Sequence, residues 1–514
     1  MRLPTLGTTG LRREMIGELA GINQQKQINS NQFSDMKNMS TRYYPAIATR
    51  AARGEVIAEL QSPHGLYWKN GLAYVDGTNL YYNGAVVAQV SDTEKTLVGM
   101  GAYICVWPDK IVYNTSSGEV TQIEKTWVQS SSATIAPVSD ASTFIKITCA
   151  GINTNFQAYD SVVIAGCSQS SLNGSKVIQE IGTDYIVVIG DVTSSVTQAS
   201  GLTVQKKAPD MDYITEFDNR LWGCSSANHE IYASKLGDPT NWNAFEGIST
   251  DSYAATVGSD GDFTGAVTHL GYVLFMKEDS ILKVYGNKPS NIQITTMPLR
   301  GVAAGCAKSI CIVNETLFYA SRNNICRYDG ALPSSVSDEI TEEYTEAVGG
   351  QYKNKYYCSI HFEDGWRMMV YDTEKNIWDA EDHVRALYMA YGEGKLYYID
   401  AAGRLRTVED EDQEETVEWM LQSGDLIEGT PNRKKLVKLQ LMLELESGAW
   451  ADVFFQSGKE KLWTRLQTIH ASDKESYMIP LIPHRATRYR YKIEGKGQVK
   501  LYGIAKYIKD GSGK

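Results

Sequence analysis

The sequence predicts an all-β protein: an irregular β-propeller of six or seven blades, with an inserted small β domain and a C-terminal β-sandwich. Two observations support this prediction. A pair of short strands recurs along the chain, and residues 431–514 alternate apolar with polar side chains. With 42% apolar and 22% charged residues, the composition is that of an ordinary globular protein.

The recurring unit is a hairpin whose second strand usually ends in an apolar residue or arginine followed by tyrosine. Turn residues such as Asp76-Gly77-Thr78-Asn79 separate its two strands. Tyr285, Tyr328 and Tyr371 follow one another at intervals of 43 residues, which matches a four-stranded propeller blade. The seven copies are 71–75 with 80–82, 102–106 with 111–113, 220–224 with 230–232, 272–275 with 282–285, 317–320 with 325–328, 356–360 with 369–371, and 395–398 with 405–406.

A stretch of different composition interrupts the repeat between Tyr113 and Tyr232, which are 119 residues apart. Residues 126–208 are rich in Ser, Thr and Val and contain apolar runs such as 161–166 and 184–190. Removing them leaves 36 residues between the two tyrosines, a spacing close to that of a blade. We therefore predict a small all-β domain inserted between blades.

The domain boundaries follow from these patterns and from one charge run. Residues 409–415 are almost all acidic; a divalent-cation site there is conceivable, but adjacent carboxylates rarely converge on one ion, which favours a solvated linker. The predicted domains are an N-terminal arm (1–53), a first propeller part (54–125), the inserted β domain (126–208), a second propeller part (209–408), an acidic linker (409–430) and the β-sandwich (431–514).

The net charge of −11 conceals a segregation along the chain. Residues 1–53 sum to +5, residues 54–430 to −25 and residues 431–514 to +9. An acidic body disfavours a nucleic-acid grip, because duplex affinity depends on neutralising phosphates. It suits a surface that DNA passes without sticking, although an acidic protein whose ends are basic by chance fits equally. The basic arm is expected to order only against a neighbouring subunit.

No recognisable catalytic or metal-binding motif occurs in the chain, so we assign no catalytic, cofactor-binding or metal residues and predict no enzyme and no cofactor. Asp260-Gly261-Asp262 resembles part of a calcium loop but lacks a closing glutamate, which favours a turn. The cysteines and histidines are dispersed without metal-site spacing, and we expect the cysteines to be buried thiols. They are Cys105, Cys149, Cys167, Cys224, Cys306, Cys311, Cys326 and Cys358, with His64, His229, His269, His361, His383, His470 and His484.

No segment is predicted to enter a membrane or to direct export. Nowhere do apolar residues continue for the roughly 18 positions needed to span a bilayer. Pro4 and Gly7 stand where a secretory signal would place its apolar core. Synthesis in a cytoplasm is the expectation.

Three groups of short motifs resemble packaged-DNA stabilisation proteins of bacteriophages, which are related to the tail nozzle (tail tubular protein B) of short-tailed phages. They extend in order over roughly residues 20–330. They are Gly21-Ile22-Asn23-Gln24, Phe33-Ser34-Asp35-Met36-Lys37-Asn38-Met39-Ser40 and Tyr44-Pro45 with Arg50 and Arg53; then Phe217-Asp218-Asn219-Arg220-Leu221-Trp222-Gly223, Ile231-Tyr232-Ala233-Ser234 and Gly237-Asp238-Pro239-Thr240-Asn241-Trp242; and Leu317-Phe318-Tyr319-Ala320-Ser321-Arg322 with Tyr328-Asp329-Gly330.

The resemblance implies a structural virion protein of the phage tail or neck, made in the bacterial cytoplasm. Such a subunit forms a homo-oligomeric ring, commonly a hexamer, below the portal and adaptor proteins. The ring continues the channel for double-stranded DNA without sequence recognition and helps to retain and deliver packaged DNA, and other tail proteins or fibres are expected partners. The resemblance assigns no DNA-channel or gate residues. The chain is shorter than the largest nozzles, so direct host contact is not implied.

The main alternative is a glycan-binding or glycan-cleaving propeller that takes part in host recognition. Exposed tryptophans could stack on sugars, although core packing explains most of them equally well. The candidates are Trp68, Trp107, Trp222, Trp242, Trp366 and Trp378. A third alternative, an intracellular interaction scaffold, lacks the regular repeat sequences that such propellers usually show.

Overall fold

The computed structural model describes residues 10–410, 413, 415–429, 432–481 and 485–510, and it is all-β, as the sequence predicts. Its only helical elements in these ranges are three single-turn 3₁₀ segments at Ser170–Leu172, Pro289–Asn291 and Ala307–Ser309. No helix there is long and apolar enough to cross a bilayer. Pro4 and Gly7, the acidic Glu411, Asp412 and Glu414, and His484 lie outside the described residues.

Five strands lie between residues 11 and 59. They are β1 (Leu11–Ile16), β2 (Phe33–Lys37), β3 (Met39–Ser40), β4 (Ile47–Thr49) and β5 (Ala58–Glu59). Beyond them the chain divides into two compact units. The middle unit comprises residues 60–310 and 329–333. The terminal unit comprises the residues up to 59, residues 311–328 and the residues from 334 onward.

The middle unit contains four antiparallel four-stranded sheets and one eight-stranded sheet. The strands are β6 (Pro63–Trp68), β7 (Leu72–Asp76), β8 (Asn79–Tyr82), β9 (Ala85–Gln89), β10 (Thr96–Met100), β11 (Tyr103–Trp107), β12 (Ile111–Asn114), β13 (Val120–Gln122), β14 (Lys125–Val128), β15 (Ala133–Pro137), β16 (Phe144–Thr148), β17 (Ser161–Ala165), β18 (Gly174–Gly182), β19 (Tyr185–Ile189), β20 (Val196–Gln198), β21 (Thr203–Lys206), β22 (Tyr213–Phe217), β23 (Arg220–Ser225), β24 (Glu230–Ala233), β25 (Tyr253–Thr256), β26 (Gly265–His269), β27 (Tyr272–Met276), β28 (Ile281–Tyr285) and β29 (Gln293–Met297).

The terminal unit contains three further four-stranded sheets and two larger ones. Its strands after β5 are β30 (Cys311–Val313), β31 (Thr316–Ala320), β32 (Ile325–Tyr328), β33 (Ser334–Ser335), β34 (Tyr344–Tyr352), β35 (Lys355–Phe362), β36 (Gly365–Asp372), β37 (Ile377–Ala380), β38 (Ala386–Gly392), β39 (Lys395–Asp400), β40 (Arg404–Thr407), β41 (Glu418–Ser423), β42 (Lys434–Leu445), β43 (Trp450–Ser457), β44 (Thr464–His470), β45 (Ser476–Pro480), β46 (Tyr489–Lys496) and β47 (Val499–Asp510).

All seven predicted hairpins are confirmed, and each supplies two adjacent strands of one four-stranded sheet. Six of these sheets take four consecutive strands. The seventh joins β38, β39 and β40 to β5, with Leu405 opposite Ala58. Local turn chemistry helps to explain the hairpins: Gly77, in the predicted turn between β7 and β8, has a φ of +54°, which glycine adopts without strain.

Strands β14–β21 form the eight-stranded sheet within the stretch where an inserted domain is predicted. Its two ends in sequence lie side by side, because Lys125 of β14 is opposite Lys206 of β21. The sheet has its own apolar cluster, which includes Ile135, Ile147 and Val188, all fully buried.

The two larger sheets of the terminal unit join both ends of the chain. The six-stranded terminal sheet has the order β3-β4-β47-β42-β45, with β1 also on β47, and the five-stranded terminal sheet has the order β2-β41-β46-β43-β44. Leu11 lies opposite Lys509. The expectation that the arm orders only against a neighbouring subunit is therefore wrong for residues 10–53. Their strands pair with the chain's own C-terminal strands and bury Phe33 and Ile47 completely.

The stretch predicted as an acidic linker also differs from expectation. Residues 418–423 form β41, which lies between β2 and β46 in the five-stranded sheet. Trp419 and Leu421 are buried there and alternate with the half-buried Met420 and Gln422. Because residues 409–415 are mostly acidic, the average composition of the predicted linker hides the apolar positions of a strand of only six residues.

Candidate functional site

An ion-pair cluster, formed by Arg50, Arg53, Glu381, Asp382 and Glu415 and buried except at Glu415, fastens the N-terminal segment within the terminal unit. Arg53 Nη2 donates to Glu381 Oε2 at 2.8 Å and to Asp382 Oδ2 at 2.7 Å. Arg50 makes two bonds to the carboxylate of Glu415, at 2.8 and 3.1 Å. Segments more than 300 residues apart in sequence are thus joined by paired charges.

The electrostatics of the cluster follow from its burial. Burial opposes ionisation of Asp382, but the charges of Arg53 and Arg50 outweigh that effect and hold its pKa below the ordinary value. Burial of Glu381 prevails over the attraction of Arg53, so its pKa is raised. Burial disfavours the charged form of Arg53, but Asp382 and Glu381 raise its pKa well above the ordinary value. Arg53 therefore stays charged and paired with Asp382.

This arrangement is suited to holding chain segments together rather than to chemistry. The side chains of Arg53 and Glu381 are 4% and 2% exposed, so a substrate has little access to them. Arg53 Nη1 is also bonded to the carbonyl of Val408. An enzyme's reactive carboxylate needs free lone pairs directed at a cleft. Here the donors converge on the carboxylates from within the fold.

The first residues of the N-terminal motif lie against β37. Ile22 N donates to the carbonyl of Trp378 at 2.7 Å, and Gln24 N donates to that of Glu339 at 2.8 Å. Gly21 has a φ of +45°, and a Cβ there would lie 2.1 Å from the Trp378 oxygen. Only glycine combines this backbone conformation with so close an approach. Close packing against Trp378 therefore explains why glycine occupies position 21.

The neighbouring aspartate of β37 binds the next part of the motif. Asp379 Oδ2 accepts hydrogen bonds from the backbone N and the hydroxyl of Thr41, both at 2.8 Å. Burial raises the pKa of Asp379, and the donors of Thr41 counteract that rise only in part. Trp378 and Asp379 together form a docking point for the N-terminal segment.

The second motif group organises a loop between β24 and β25. Arg220 is buried and donates to the carbonyls of Ser234, Ser249 and Asp251, so its guanidinium fastens the loop to the start of β23. Trp242 Nε1 donates to the Pro239 carbonyl at 2.9 Å. Arg220 and Trp242 therefore hold the loop in place through hydrogen bonds to backbone carbonyls.

The same loop anchors the eight-stranded sheet. Asn241 Oδ1 accepts from the backbone N and the hydroxyl of Ser161 at 2.7 and 3.1 Å. Lys206 Nζ binds Asp160 at 2.5 Å and Thr240 Oγ1 at 3.0 Å, and the Lys206 and Asp160 side chains are more than nine-tenths buried. The motif Gly237–Trp242 therefore positions the insertion relative to the four-stranded sheet that carries it.

The calcium-like loop already holds a cation of the protein. Lys277 Nζ donates to the carbonyls of Ser259, Asp260 and Gly261 at 2.7, 3.2 and 2.6 Å. These are the oxygens that a metal ion would otherwise use. The structure also places no three His, Cys, Asp or Glu side chains of the described ranges at metal-binding distance. A turn fastened by lysine accounts for the loop.

The cysteines are thiols placed mostly in the core. All eight lie in the described part of the chain, no disulfide joins them there, and seven are buried while Cys311 is half-buried. Burial raises the pKa of Cys105, Cys167 and Cys224. Protonated, enclosed thiols are poor nucleophiles.

Most of the candidate sugar-stacking tryptophans belong to the core. The four that are no more than 4% exposed are Trp107, Trp222, Trp242 and Trp378. Trp366 is half-buried; His361 stacks on it at 4.9 Å, and the Arg385 guanidinium lies 5.0 Å from its ring centre. Trp68 is also half-buried. An open row of aromatic rings for a glycan is therefore not formed by these six residues.

The sequence singles out Arg50 and Arg53 through a family resemblance, but it does not identify their partners. A usable signal lies at the end of β37, where Glu381 and Asp382 directly follow the fully buried strand Ile377–Ala380. Consecutive carboxylates at the end of a buried strand require cations nearby. Which cations supply the charge depends on long-range pairing that the sequence does not show.

No family model matches the chain, and no curated protein matches it. Similar solved structures include the computationally designed Ika8 protein, with 10% identity, a TM-score of 0.34 and coverage of 69% of this chain and 99% of that one. The exo-β-1,3-galactanase of Phanerochaete chrysosporium has 9% identity, a TM-score of 0.23 and coverage of 57% and 95%. The endosialidase of phage phi92 has 10% identity, a TM-score of 0.19 and coverage of 79% and 62%. Likenesses this distant carry no argument about what the chain does.

Proposed function

We propose that the chain is a structural subunit of a bacteriophage virion, a ring-forming nozzle or head-completion protein, and not an enzyme. The observation that carries this proposal is the role of the motif residues behind the family resemblance. Gly21, Arg50, Arg53 and Asn241 lie where segments distant in sequence meet, and Arg220 fastens a loop to β23. Contacts of this kind hold a fold together and perform no chemistry, as expected of a structural subunit.

We further propose that the seven four-stranded sheets are the blades of one propeller. Seven sheets favour the larger of the two predicted blade numbers. In closed propellers a strand from one end of the repeat often completes the blade formed at the other, and β5 pairs with β40 in this manner. The eight-stranded insertion between β13 and β22 makes the repeat irregular.

In the virion the subunit would form a ring, a hexamer in our proposal, below the portal and adaptor proteins and in contact with other tail proteins or fibres. The charge of −25 over residues 54–430 supports a channel past which double-stranded DNA slides, because a field of like sign repels the phosphates. The protein would be made in the bacterial cytoplasm and would act in the phage tail or neck. A predominantly basic channel in the assembled ring would contradict this part of the proposal.

The proposal is tested with the purified full-length chain mixed with a portal–adaptor complex and imaged by negative-stain electron microscopy. A ring added coaxially to the complex is the expected result. The glycan-binding or glycan-cleaving alternative predicts the reverse: no added ring, together with binding on a glycan array or release of reducing sugar. Trp366→Ala serves as a control, because the Trp366 side chain is a half-buried sugar-stacking candidate beside His361. Addition of the oligomeric ring to the complex should not depend on it.

A further inference from the structure

The six-stranded terminal sheet has one buried and one exposed face. In antiparallel strands, residues directly opposite each other project to the same side. Leu439 and Leu441 of β42 and Ile504 of β47 are completely buried on one side. Lys438 and Met442 alternate with the leucines and are exposed on the other side.

We call this exposed side the cationic face. Strand register defines it: Leu11 is opposite Lys509 and Lys509 opposite Lys435; Arg13 is opposite Tyr507 and Tyr507 opposite Lys438; Met15, Ala505, Gln440 and Met478 form a third row; and Met442 lies beside Gly503 and Ser476. The residues on which the argument depends are Arg13, Lys435, Lys438, Lys509, Met15, Met442 and Met478.

The four cations of this face have no carboxylate partner. Among the side chains that the structure describes, no aspartate or glutamate lies within 4.0 Å of the charged nitrogens of Arg13, Lys435, Lys438 or Lys509. Arg13 lies instead over the ring of Tyr507, at 5.6 Å. Lys435 and Lys509 stand directly opposite each other, an arrangement that destabilises a sheet. An anionic partner would convert this cost into a favourable contact.

Three methionines are exposed on the other half of the face. Met15, Met442 and Met478 are 45%, 37% and 45% exposed on three strands of the same sheet. Methionine, tyrosine and arginine are enriched where proteins bind one another. A phosphate backbone gains little from contact with methionines, so these residues favour an acidic protein surface over nucleic acid.

The chain itself carries such a surface, since residues 54–430 have a net charge of −25. We propose that the cationic face binds the acidic body of a second copy of the chain, which rests on the proposed ring and supplies one side of its subunit contact. Pairing two cationic faces would oppose like charges. A contact between different surfaces of two copies is heterologous, and such contacts generate rings when the rotation closes.

The first experiment reverses charge on the face in the full-length protein. In Lys435→Glu/Lys438→Glu, we expect the concentration for half-assembly of the ring to rise about tenfold or more, because like charges across an interface suppress association. The matched control is Lys459→Glu/Lys461→Glu, the same charge change at two exposed lysines between β43 and β44. Sedimentation velocity reports assembly, and circular dichroism shows whether each variant is folded. Normal rings of the folded Lys435→Glu/Lys438→Glu variant would overturn the inference.

The second experiment locates the contact without relying on a destabilising change. A photo-crosslinking residue in place of Met442 is activated in a mixture of isotopically light and heavy protein. We expect crosslinks between copies to reach residues 54–430. Crosslinks between copies that reach only residues 431–514, or a failure to crosslink within assembled rings, would contradict the inference.

The remaining outcomes separate this inference from the proposed function. If the wild-type chain forms rings and the charge-reversed variant loses only binding to a duplex DNA probe, the face binds DNA and the inference fails while the ring stands. If the wild-type chain forms no ring, with or without the portal–adaptor complex, the proposed function fails first and the inference fails with it.

Discussion

The seven four-stranded sheets and the two terminal sheets differ in how far apart in sequence their paired strands lie. In the four-stranded sheets nearly every strand pairs with its neighbour in sequence, as β27 pairs with β26 and β28. In the terminal sheets β1 pairs with β47 and β2 with β41, across almost the whole chain. A sheet whose strands pair with their sequence neighbours can be predicted from local sequence patterns. Long-range pairing makes the folding of each chain end depend on the other end.

The comparison also explains the charge segregation. The basic N-terminal stretch and the basic C-terminal stretch, +5 and +9, contribute strands to the same two sheets. The acidic stretch between them reaches into the cluster through Glu381, Asp382 and Glu415, which pair with Arg50 and Arg53. Part of the charge pattern is therefore structural, and some of the cations without a carboxylate partner lie on the cationic face.

The largest expected effect comes from comparing two deletions. Removing residues 1–53 takes away β1–β4 and both buried arginines, so we expect the terminal unit to lose its cooperative unfolding transition. Replacing residues 126–205 by a short Gly-Ser linker should leave the rest of the chain folded, because Lys125 and Lys206 lie opposite each other. Limited proteolysis and hydrogen exchange measure both. Retained protection of β47 in the N-terminal deletion would contradict the account.

A single substitution should reproduce part of this effect. In Arg53→Met the carboxylates of Glu381 and Asp382 lose their buried partner, which typically costs about 3–5 kcal/mol of unfolding free energy. In the control Arg404→Met, the lost ion pair with Asp400 involves an arginine that is 45% exposed, so the cost should be about 0–1 kcal/mol. Urea unfolding followed by hydrogen exchange in β36 and β37 compares them. Equal losses would show that the cluster does not fasten the N-terminal segment.

A smaller effect is expected where the insertion meets its anchor. Asn241→Ala leaves the buried N of Ser161 without its acceptor, at a cost of about 1–3 kcal/mol. Asn243→Ala is the control, because its side chain donates to the Lys207 carbonyl at an exposed position. Hydrogen exchange at the start of β17 should accelerate in the first variant only. Unchanged exchange would mean that the insertion is held by other contacts.

The smallest effect is a pH dependence. The pKa of Asp382 is lowered in the folded state, so its contribution to stability is complete above its unfolded pKa of about 4 and is lost as pH falls through the folded value. Asp382→Asn removes this contribution, so the melting temperature of the terminal unit should fall less steeply between pH 5 and pH 3 than in the wild type. Parallel pH profiles would assign the acid sensitivity to other carboxyl groups.

The sequence predicts the elements whose signals are local. The turn at Asp76-Gly77-Thr78-Asn79 and the alternation within residues 431–514 each indicate their strands from a few neighbouring residues. It does not predict β1, whose residues Leu11–Ile16 bury only Ile16, or β41, which carboxylates surround. The same holds for the ion-pair cluster. The family resemblance points to Arg50 and Arg53, but the pairing of strands hundreds of residues apart determines which carboxylates lie beside them.

Cryo-electron microscopy of the purified full-length chain, alone and with a portal–adaptor complex, tests the central claim most directly. The account predicts a closed ring of identical subunits. In each subunit, β1 and β2 should pair with that subunit's own β47 and β41, and the four-stranded sheets should form blades. A monomer that joins no portal–adaptor complex, or that binds or cleaves a glycan instead, would contradict it.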